Sequence, residues 1–128
     1  MSQMNEPLIS RWLDVTKKQA MLEKALEDML KKKSQLSASE YYALYYLSQN
    51  GQSMRLNDLG NCLSLSQSAL SRLSKRLEEK EPPLIGRKTC SDDKRGIYVG
   101  LTEAGKKELR SVQQDVAAIL EEYFKSED

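Results

Sequence analysis

Residues 66–80, SQSALSRLSKRLEEK, predict an amphipathic helix with a cationic edge. Ser66 is a favourable N-cap, because its hydroxyl can accept a hydrogen bond from an amide of the first turn. Behind it, apolar residues recur at helical spacing and form a narrow stripe: Leu70, Leu73 and Leu77. No acidic residue of this stretch precedes Glu78. The helix can therefore bury one edge in a core and present the other, cationic and hydrogen-bonding, to a partner.

The polar edge of this helix has the side chains that duplex DNA requires. Amide and hydroxyl groups near the N-terminus suit base edges, and Arg and Lys suit bases and phosphates. The side chains on this edge are Gln67, Ser68, Ser71, Arg72, Lys75 and Arg76. Taken alone, the three cations would more often be a solvated helix face than a DNA contact.

The composition is that of one soluble, helix-rich domain over residues 1–128, with 39% hydrophobic and 30% charged residues. No apolar run approaches the roughly 20 residues that a membrane span needs. The first residues show no basic segment followed by an apolar block, as a secretory signal would. We therefore expect a cytoplasmic protein without a membrane partner.

The sequence offers little for catalysis or metal binding. It has no histidine, which is the commonest general base and metal ligand. Its two cysteines, Cys62 and Cys90, form no CxxC pair, so neither a disulfide framework nor a zinc site is indicated. No paired-carboxylate motif, phosphate-binding glycine loop or nucleophile elbow is present. We expect no enzyme activity, no metal and no cofactor.

Charge is distributed unevenly along the chain, although the net charge is only +1. Residues 66–95 carry eight Lys or Arg against five acids, whereas residues 103–128 carry four against seven. A basic middle segment agrees with a nucleic-acid partner, but a solvated helix face can produce the same difference.

Two long amphipathic helices are predicted to flank the basic segment, over residues 8–33 and 102–125. Pro7 suits the start of the first helix, and Thr102 caps the second. The first helix has about seven turns, and a small domain rarely covers so long an apolar stripe alone. Two interpretations are open for the first helix: a core helix in a monomer, or a helix that also packs against a second copy of the chain, which is the one we favour.

Residues 37–50 form a further predicted helix, because Ser37 and Glu40 fit a capping box and Gly51 suits a helix end. This helix contains four of the six tyrosines. Two interpretations remain open for them: core packing with hydroxyls at the edge, or one wall of a ligand cleft. The candidate cleft residues are Trp12, Tyr41, Tyr42 and Tyr45.

A helix-turn-helix followed by a hairpin is the central pattern of the chain. A short helix over residues 57–63 and a turn at Ser64 and Leu65 precede the cationic helix, which Pro82 and Pro83 end. Two extended stretches, 84–89 and 96–101, then surround the polar segment 90–95. A hairpin directly after a recognition helix is a wing, whose tip can reach the minor groove.

The most specific local pattern after the cationic helix is Asp93-Lys94-Arg95 followed by Leu101-Thr102 and Gly105. It is preceded by Leu59, Leu63, Leu65-Ser66, Ser68, Ser71-Arg72-Leu73, Arg76-Leu77-Glu78-Glu79-Lys80, Leu84-Ile85 and Arg87. In this order, over residues 54–106, these residues resemble the MarR family of winged helix-turn-helix regulators.

The resemblance implies a mainly α fold with a small β-hairpin wing (α+β). A winged helix-turn-helix DNA-binding lobe at residues 37–101 would lie between N- and C-terminal dimerisation helices. The homodimer would bind a pseudo-palindromic operator in double-stranded DNA, with one recognition helix in each major groove. By position, Gln67, Ser68, Ser71 and Arg72 would face bases and nearby phosphates, and Arg76 would join these contacts. Arg95 would enter the minor groove, held by Asp93, while Lys75 and Lys94 would contact the backbone.

The sequence departs from the family pattern around the helix-turn-helix. Ser64 replaces the usual glycine, so either it adopts a left-handed conformation at a cost of about 1 kcal/mol or the turn differs. Arg55 stands where the short helix usually has a Ser or Thr cap. Glu81-Pro82-Pro83 replaces the glycine that usually precedes the wing, which would shift and stiffen this connection.

The function implied is a sequence-specific, DNA-binding transcription regulator, and a dimeric repressor released by a small ligand or an oxidant is the form we expect. A ligand between the dimer helices and the lobe would shift the lobe spacing away from the one that fits DNA.

Cys90 is the candidate redox residue, because nearby cations would favour its thiolate. An inert loop residue is the simpler interpretation of Cys90, and Cys62 is expected to be buried. The alternative function is a protein-interaction module that keeps the fold without binding DNA.

Overall fold

The computed structural model describes residues 5–88 and 96–125. Its helices are α1 (Asn5–Ser34), α2 (Ala38–Gln49), α3 (Leu56–Leu63), α4 (Gln67–Glu78) and α5 (Glu103–Lys125). Its strands are β1 (Ser53–Arg55), β2 (Ile85–Lys88) and β3 (Tyr98–Leu101). The predicted mainly α architecture with a small β component is confirmed. No helix in these ranges is long and apolar enough to cross a bilayer.

The three strands form one antiparallel sheet in the order β1-β3-β2. The two strands of the wing pair as expected, with Arg87 opposite Val99. On its other edge β3 pairs with β1, where Met54 lies opposite the same valine. The central strand β3 therefore pairs with the other wing strand, β2, and with β1, the segment directly before α3. This pairing anchors the hairpin on the helix-turn-helix.

The core lies where the C-terminal half of α1, α2, α4, β3 and α5 meet. Its largest fully buried apolar side chains are Leu30, Leu36, Leu44, Leu47, Leu59, Leu73, Leu77, Ile85, Val99 and Val112. Each such side chain stabilises the fold by about 1.5–3 kcal/mol relative to an exposed position. Every element except the first half of α1 contributes to this cluster or packs against it.

Both interactions of the predicted capping box are present at the start of α2. The Ser37 hydroxyl accepts from the Glu40 amide at 3.1 Å, and a Glu40 carboxylate oxygen accepts from the Ser37 amide at 2.7 Å. The helix ends with Asn50 as its C-cap, and Gly51 follows with a φ of 74°. A left-handed residue directly after a helix is the conformation that glycine adopts most easily.

The turn between α3 and α4 takes the first of the two expected forms. Ser64 has φ 55° and ψ 41°, which is the left-handed region. The Leu65 amide donates to the Gly60 carbonyl at 3.1 Å and thereby closes the turn. A Cβ on Gly60 would lie 2.6 Å from Leu70 Cδ2, so the two helices cross closely here.

The Leu-Thr-x-x-Gly motif forms a tight joint between the wing and α5. Thr102 Oγ1 accepts from the Gly105 amide at 3.0 Å and donates to the Pro83 carbonyl at 2.6 Å. A Cβ on Gly105 would lie only 2.1 Å from the Leu84 carbonyl oxygen. The motif is thus explained by a backbone contact that only glycine permits, and Thr102 has the capping role expected of it.

We predict that Gly105→Ala destabilises the fold by about 1–3 kcal/mol, because the chain must shift to relieve the contact with Leu84. Alanine would otherwise stabilise a helical position by about 1 kcal/mol. Urea unfolding measures the difference. Gly86→Ala is the control, since a Cβ there meets no atom within 4 Å. Equal effects of the two substitutions would contradict the account.

We predict that Ser64→Gly raises the free energy of unfolding by about 0.5–1 kcal/mol. Glycine removes the free-energy cost of holding a serine in the left-handed region, and this gain is reduced by the larger conformational entropy that glycine loses on folding. The same urea titration provides the measurement. Gln114→Gly, at an exposed position inside α5, should lower stability by about 1 kcal/mol. If both glycine variants lose stability, the strain at Ser64 is absent.

Candidate nucleic-acid interface

The leucine stripe of α4 packs the helix against the core. Leu70, Leu73 and Leu77 are no more than 2% exposed. Ser74 is also fully buried, which the apolar pattern alone did not indicate. Its hydroxyl donates to the Ser71 carbonyl at 3.1 Å, so the polar group is satisfied within the helix. One edge of α4 is thereby fixed in the core, and the opposite edge faces solvent.

The exposed edge of α4 contains all the side chains predicted to contact DNA from this helix. They are Gln67, Ser68, Ser71, Arg72, Lys75 and Arg76. The N-cap is formed as expected, because the Ser66 hydroxyl accepts from the Ala69 amide at 3.2 Å. The N-terminal end of the helix dipole adds a partial positive charge to this end of the edge.

A groove of about 370 Å³ lies between the N-terminal ends of α3 and α4 and the two residues that directly precede β3, Gly96 and Ile97. Gln67 lines it and donates to the side-chain oxygen of Asn57 at 3.4 Å. Arg55 and Ile97 line it as well. The recognition helix α4 and the residues that lead into the wing strand β3 therefore border one groove.

Arg55 is a residue of this groove that sequence reasoning treated only as a missing helix cap. It makes no side-chain cap of α3. Instead its Nε donates to the Tyr98 hydroxyl at 3.0 Å, and its guanidinium carbon lies 5.5 Å from the centre of that ring. A cation–π contact of this kind holds the guanidinium beside the wing. The sequence indicated this role only indirectly, because Arg55 stands at the position where the family has a capping Ser or Thr.

The two adjacent cations near the end of α4 have different surroundings. Lys75 Nζ lies 3.9 Å from a carboxylate oxygen of Glu79, and both side chains are well exposed. Arg76 Nε lies 3.7 Å from a carboxylate oxygen of Glu40, whose side chain is only 6% exposed. Both cations are exposed, but Arg76, at 55%, pairs with a buried carboxylate of α2, whereas Lys75 pairs with an exposed one on α4 itself.

The wing is tied to α4 at its base. Arg87 Nε donates to a Glu78 carboxylate oxygen at 2.8 Å. The predicted wing-tip residues Asp93, Lys94 and Arg95, and the candidate redox residue Cys90, lie outside the described residues. Their roles stay predictions.

Two of the four candidate cleft residues line a common pocket. A pocket of about 240 Å³ lies between α2 and α5, lined by Tyr41 and Tyr45 together with Lys106 and Arg110. Neither Trp12 nor Tyr42 is among its lining residues. Trp12 lies in the first half of α1 and is 63% exposed.

Burial raises the pKa of the Tyr41 hydroxyl, and the neighbouring Tyr45 and Tyr42 raise it further. The pKa of Tyr42 is raised by burial and then by the carboxylates of Glu23 and Glu27 on α1. Tyr42 therefore faces α1 rather than the pocket. Both phenols remain protonated at neutral pH and can donate hydrogen bonds.

The expectation that Cys62 is buried is wrong. Its side chain is exposed on α3, because Leu59 and Gly60 provide the face of that short helix that packs inward. Among the described residues, no group of three or more His, Cys, Asp or Glu could hold a metal ion.

Comparison with known proteins gives both a family and a fold. The family model "Transcriptional regulator SarA/Rot" matches residues 25–112. The structure of AbsC, a MarR family transcriptional regulator from Streptomyces coelicolor, is similar with a TM-score of 0.85 and 27% identity, over 98% of this chain and 82% of that chain.

Two structures of DNA complexes share the fold. Sco3205, a MarR family transcriptional regulator from Streptomyces coelicolor in complex with DNA, matches with a TM-score of 0.83 and 23% identity, over 96% of this chain and 75% of that chain. A mutant MarR from E. coli, complexed with operator DNA, matches with a TM-score of 0.76 and 22% identity, over 98% and 87% of the two chains. The resemblance to MarR regulators is confirmed: the chain belongs to the SarA/Rot family of transcriptional regulators and has the MarR-type winged helix-turn-helix fold.

Proposed function

We propose that this regulator is a cytoplasmic homodimer that binds a pseudo-palindromic DNA operator and represses transcription. The observation that carries the proposal is the exposed edge of α4. Amide and hydroxyl groups lie at its N-terminal end and cations lie behind them, while the opposite edge is fixed in the core. This is the distribution that a helix needs to enter a major groove.

The proposed contacts follow the order of side chains along α4. Gln67, Ser68 and Ser71 face base edges, and Arg72 reaches a base or a nearby phosphate. Lys75 contacts the backbone. In the wing, Arg95 enters the minor groove with Asp93 orienting it, and Lys94 contacts a phosphate. The fold shared with the two DNA complexes supports this assignment.

The first half of α1 supports a dimer. Five of its large apolar side chains are 47–64% exposed: Leu8, Ile9, Trp12, Leu13 and Val15. Phe124, at the end of α5, is 59% exposed. An apolar stripe of this length in water is unfavourable and marks an interaction surface. A second copy of the chain covers it in our proposal, which makes α1 and α5 the dimerisation helices around a DNA-binding lobe at residues 37–101.

Release from DNA is proposed to use the pocket between α2 and α5. A small ligand held by Tyr41 and Tyr45 would lie between a helix of the lobe and a dimerisation helix. It would lower DNA affinity only if it bound the non-binding lobe spacing more tightly than the binding one. Oxidation of Cys90 in the wing is the alternative route of release.

Selection of bound sequences from a random duplex pool tests the proposed function. We expect a palindromic sequence, because two-fold symmetry of the protein imposes symmetry on the site. Arg95→Ala and Arg72→Ala should each weaken binding by about 1–3 kcal/mol if they read bases. Lys107→Ala, an exposed charge on α5, is the control and should change affinity little.

Absence of DNA binding by the unmodified protein at low salt would contradict the proposal. It would favour the alternative of a protein-interaction module that keeps the winged-helix fold. If Arg95→Ala and Arg72→Ala leave the affinity for DNA unchanged, the protein binds DNA but these two residues do not contact it.

The double substitution Ile9→Gln/Leu13→Gln tests the dimer. These residues lie one helical turn apart on the exposed face of α1. We expect the variant to sediment as a monomer at concentrations where the unmodified chain is a dimer, and to bind the palindrome more weakly. Ile97→Gln, at an exposed apolar residue outside α1, should leave the oligomeric state unchanged. A double variant that remains fully dimeric would show that this face is not the interface.

A further inference from the structure

A buried carboxylate lies beside the C-terminal half of the recognition helix. Glu40 is 5% exposed. One of its oxygens accepts from the Ser37 amide at 2.7 Å, and the other lies 3.7 Å from Arg76 Nε. A charge removed from water requires donors and a counter-charge. The capping box supplies the first, and Arg76 supplies the second.

Arg76 lies towards the C-terminal end of α4, away from the helix end proposed to meet base edges. It lies nine residues after Gln67, which corresponds to about 14 Å along the helix axis. Its neighbour Lys75 lies beside the exposed side chain of Glu79. The two cations therefore differ: Lys75 pairs with an exposed carboxylate one turn along its own helix, whereas Arg76, although 55% exposed, pairs with a buried carboxylate on another helix.

A second contact ties the same end of α4 to the same part of the fold. Lys80 Nζ donates to the Gln35 carbonyl at 3.3 Å. Gln35 begins the turn between α1 and α2 with a left-handed φ of 59°, and the next residue, Leu36, is 1% exposed. The end of the recognition helix is thus attached at two points to the α1–α2 region.

The same turn is also connected to α1. The Ala38 amide, at the start of α2, donates to a Glu27 carboxylate oxygen at 3.0 Å. Glu27 lies in the part of α1 that packs on the core, between Leu26 and Leu30. Three helices, α1, α2 and α4, therefore meet at one small set of polar contacts.

We propose that Arg76 is a positioning residue: its guanidinium binds Glu40 and sets the direction of α4 relative to α1 and α2, and it makes no contact with DNA. This inference rests on the proposed function, in which α4 enters the major groove. It removes Arg76 from the DNA contacts that its position on the cationic edge suggested. It also provides a physical connection between a proposed dimerisation helix and the helix that reads the operator.

The test compares Arg76→Gln, Glu40→Gln and the double variant. Glutamine at position 40 keeps the capping box, because its side-chain oxygen can still accept from the Ser37 amide. It removes only the charge that faces Arg76. Affinity for the palindrome recovered by selection is measured against salt concentration. Urea unfolding of all variants verifies that they fold and gives the coupling between the two residues.

Salt dependence separates positioning from contact. We expect Arg76→Gln and Glu40→Gln each to weaken binding by between about two- and tenfold. The slope of log affinity against log salt should remain that of the unmodified protein. The double variant should be no weaker than either single variant, because both remove the same interaction. Lys75→Gln is the matched comparison: it removes one charge at the adjacent residue of each protomer, so the dimer loses two phosphate contacts and the slope should fall by about 1.8.

A DNA contact at Arg76 gives the opposite results. The slope would fall by about 1.8 in Arg76→Gln, because the dimer would lose one phosphate contact in each protomer. Glu40→Gln would leave affinity unchanged or raise it, because a competing negative charge is lost. That pattern overturns the inference and leaves the proposed function intact. Failure of the unmodified protein to bind any duplex at low salt would instead overturn the proposed function, and the assignment with it.

Discussion

The packing of one narrow leucine stripe determines what α4 can present to a partner. Leu70, Leu73 and Leu77 hold the helix in the core, and the buried Ser74 is tolerated because its hydroxyl bonds within the helix. The polar and cationic side chains are thereby confined to one exposed edge. The wing also contacts this helix, because Arg87 of β2 bonds to Glu78 at the end of α4. The close contact between Gly105 and the Leu84 carbonyl holds α5 against the start of the same wing strand.

Local patterns predicted the helices, two of their caps and the exposed polar edge of α4. Capping and helical periodicity act over a few residues, so Ser37 and Ser66 could be interpreted from their neighbours. The left-handed Ser64 was anticipated because the family has a glycine at this position. The sequence resemblance added the wing and the family. The bounds of α1 and α5 lie within three residues of the predicted ones, as expected for helix termini.

Contacts between distant residues could not be predicted in this way. Arg76 and Glu40 are far apart in the chain, and nothing in their local patterns pairs them. The addition of β1 to the sheet, the contact of Arg55 with Tyr98 and the exposure of Cys62 also follow from how elements pack. The first half of α1 is a further example. Its apolar stripe was evident in the sequence, but among the described residues nothing covers it, so the sequence pattern alone did not identify its partner.

The account's central claim is that the exposed edge of α4 is the surface that meets DNA. Amide NMR spectra, recorded as a palindromic duplex is added, test it residue by residue. We expect the largest shift changes at residues 66–72 and in the wing, with little change on the exposed face of α5. Changes confined to α1 and α5, with residues 66–72 unaffected at saturating DNA, would contradict the claim.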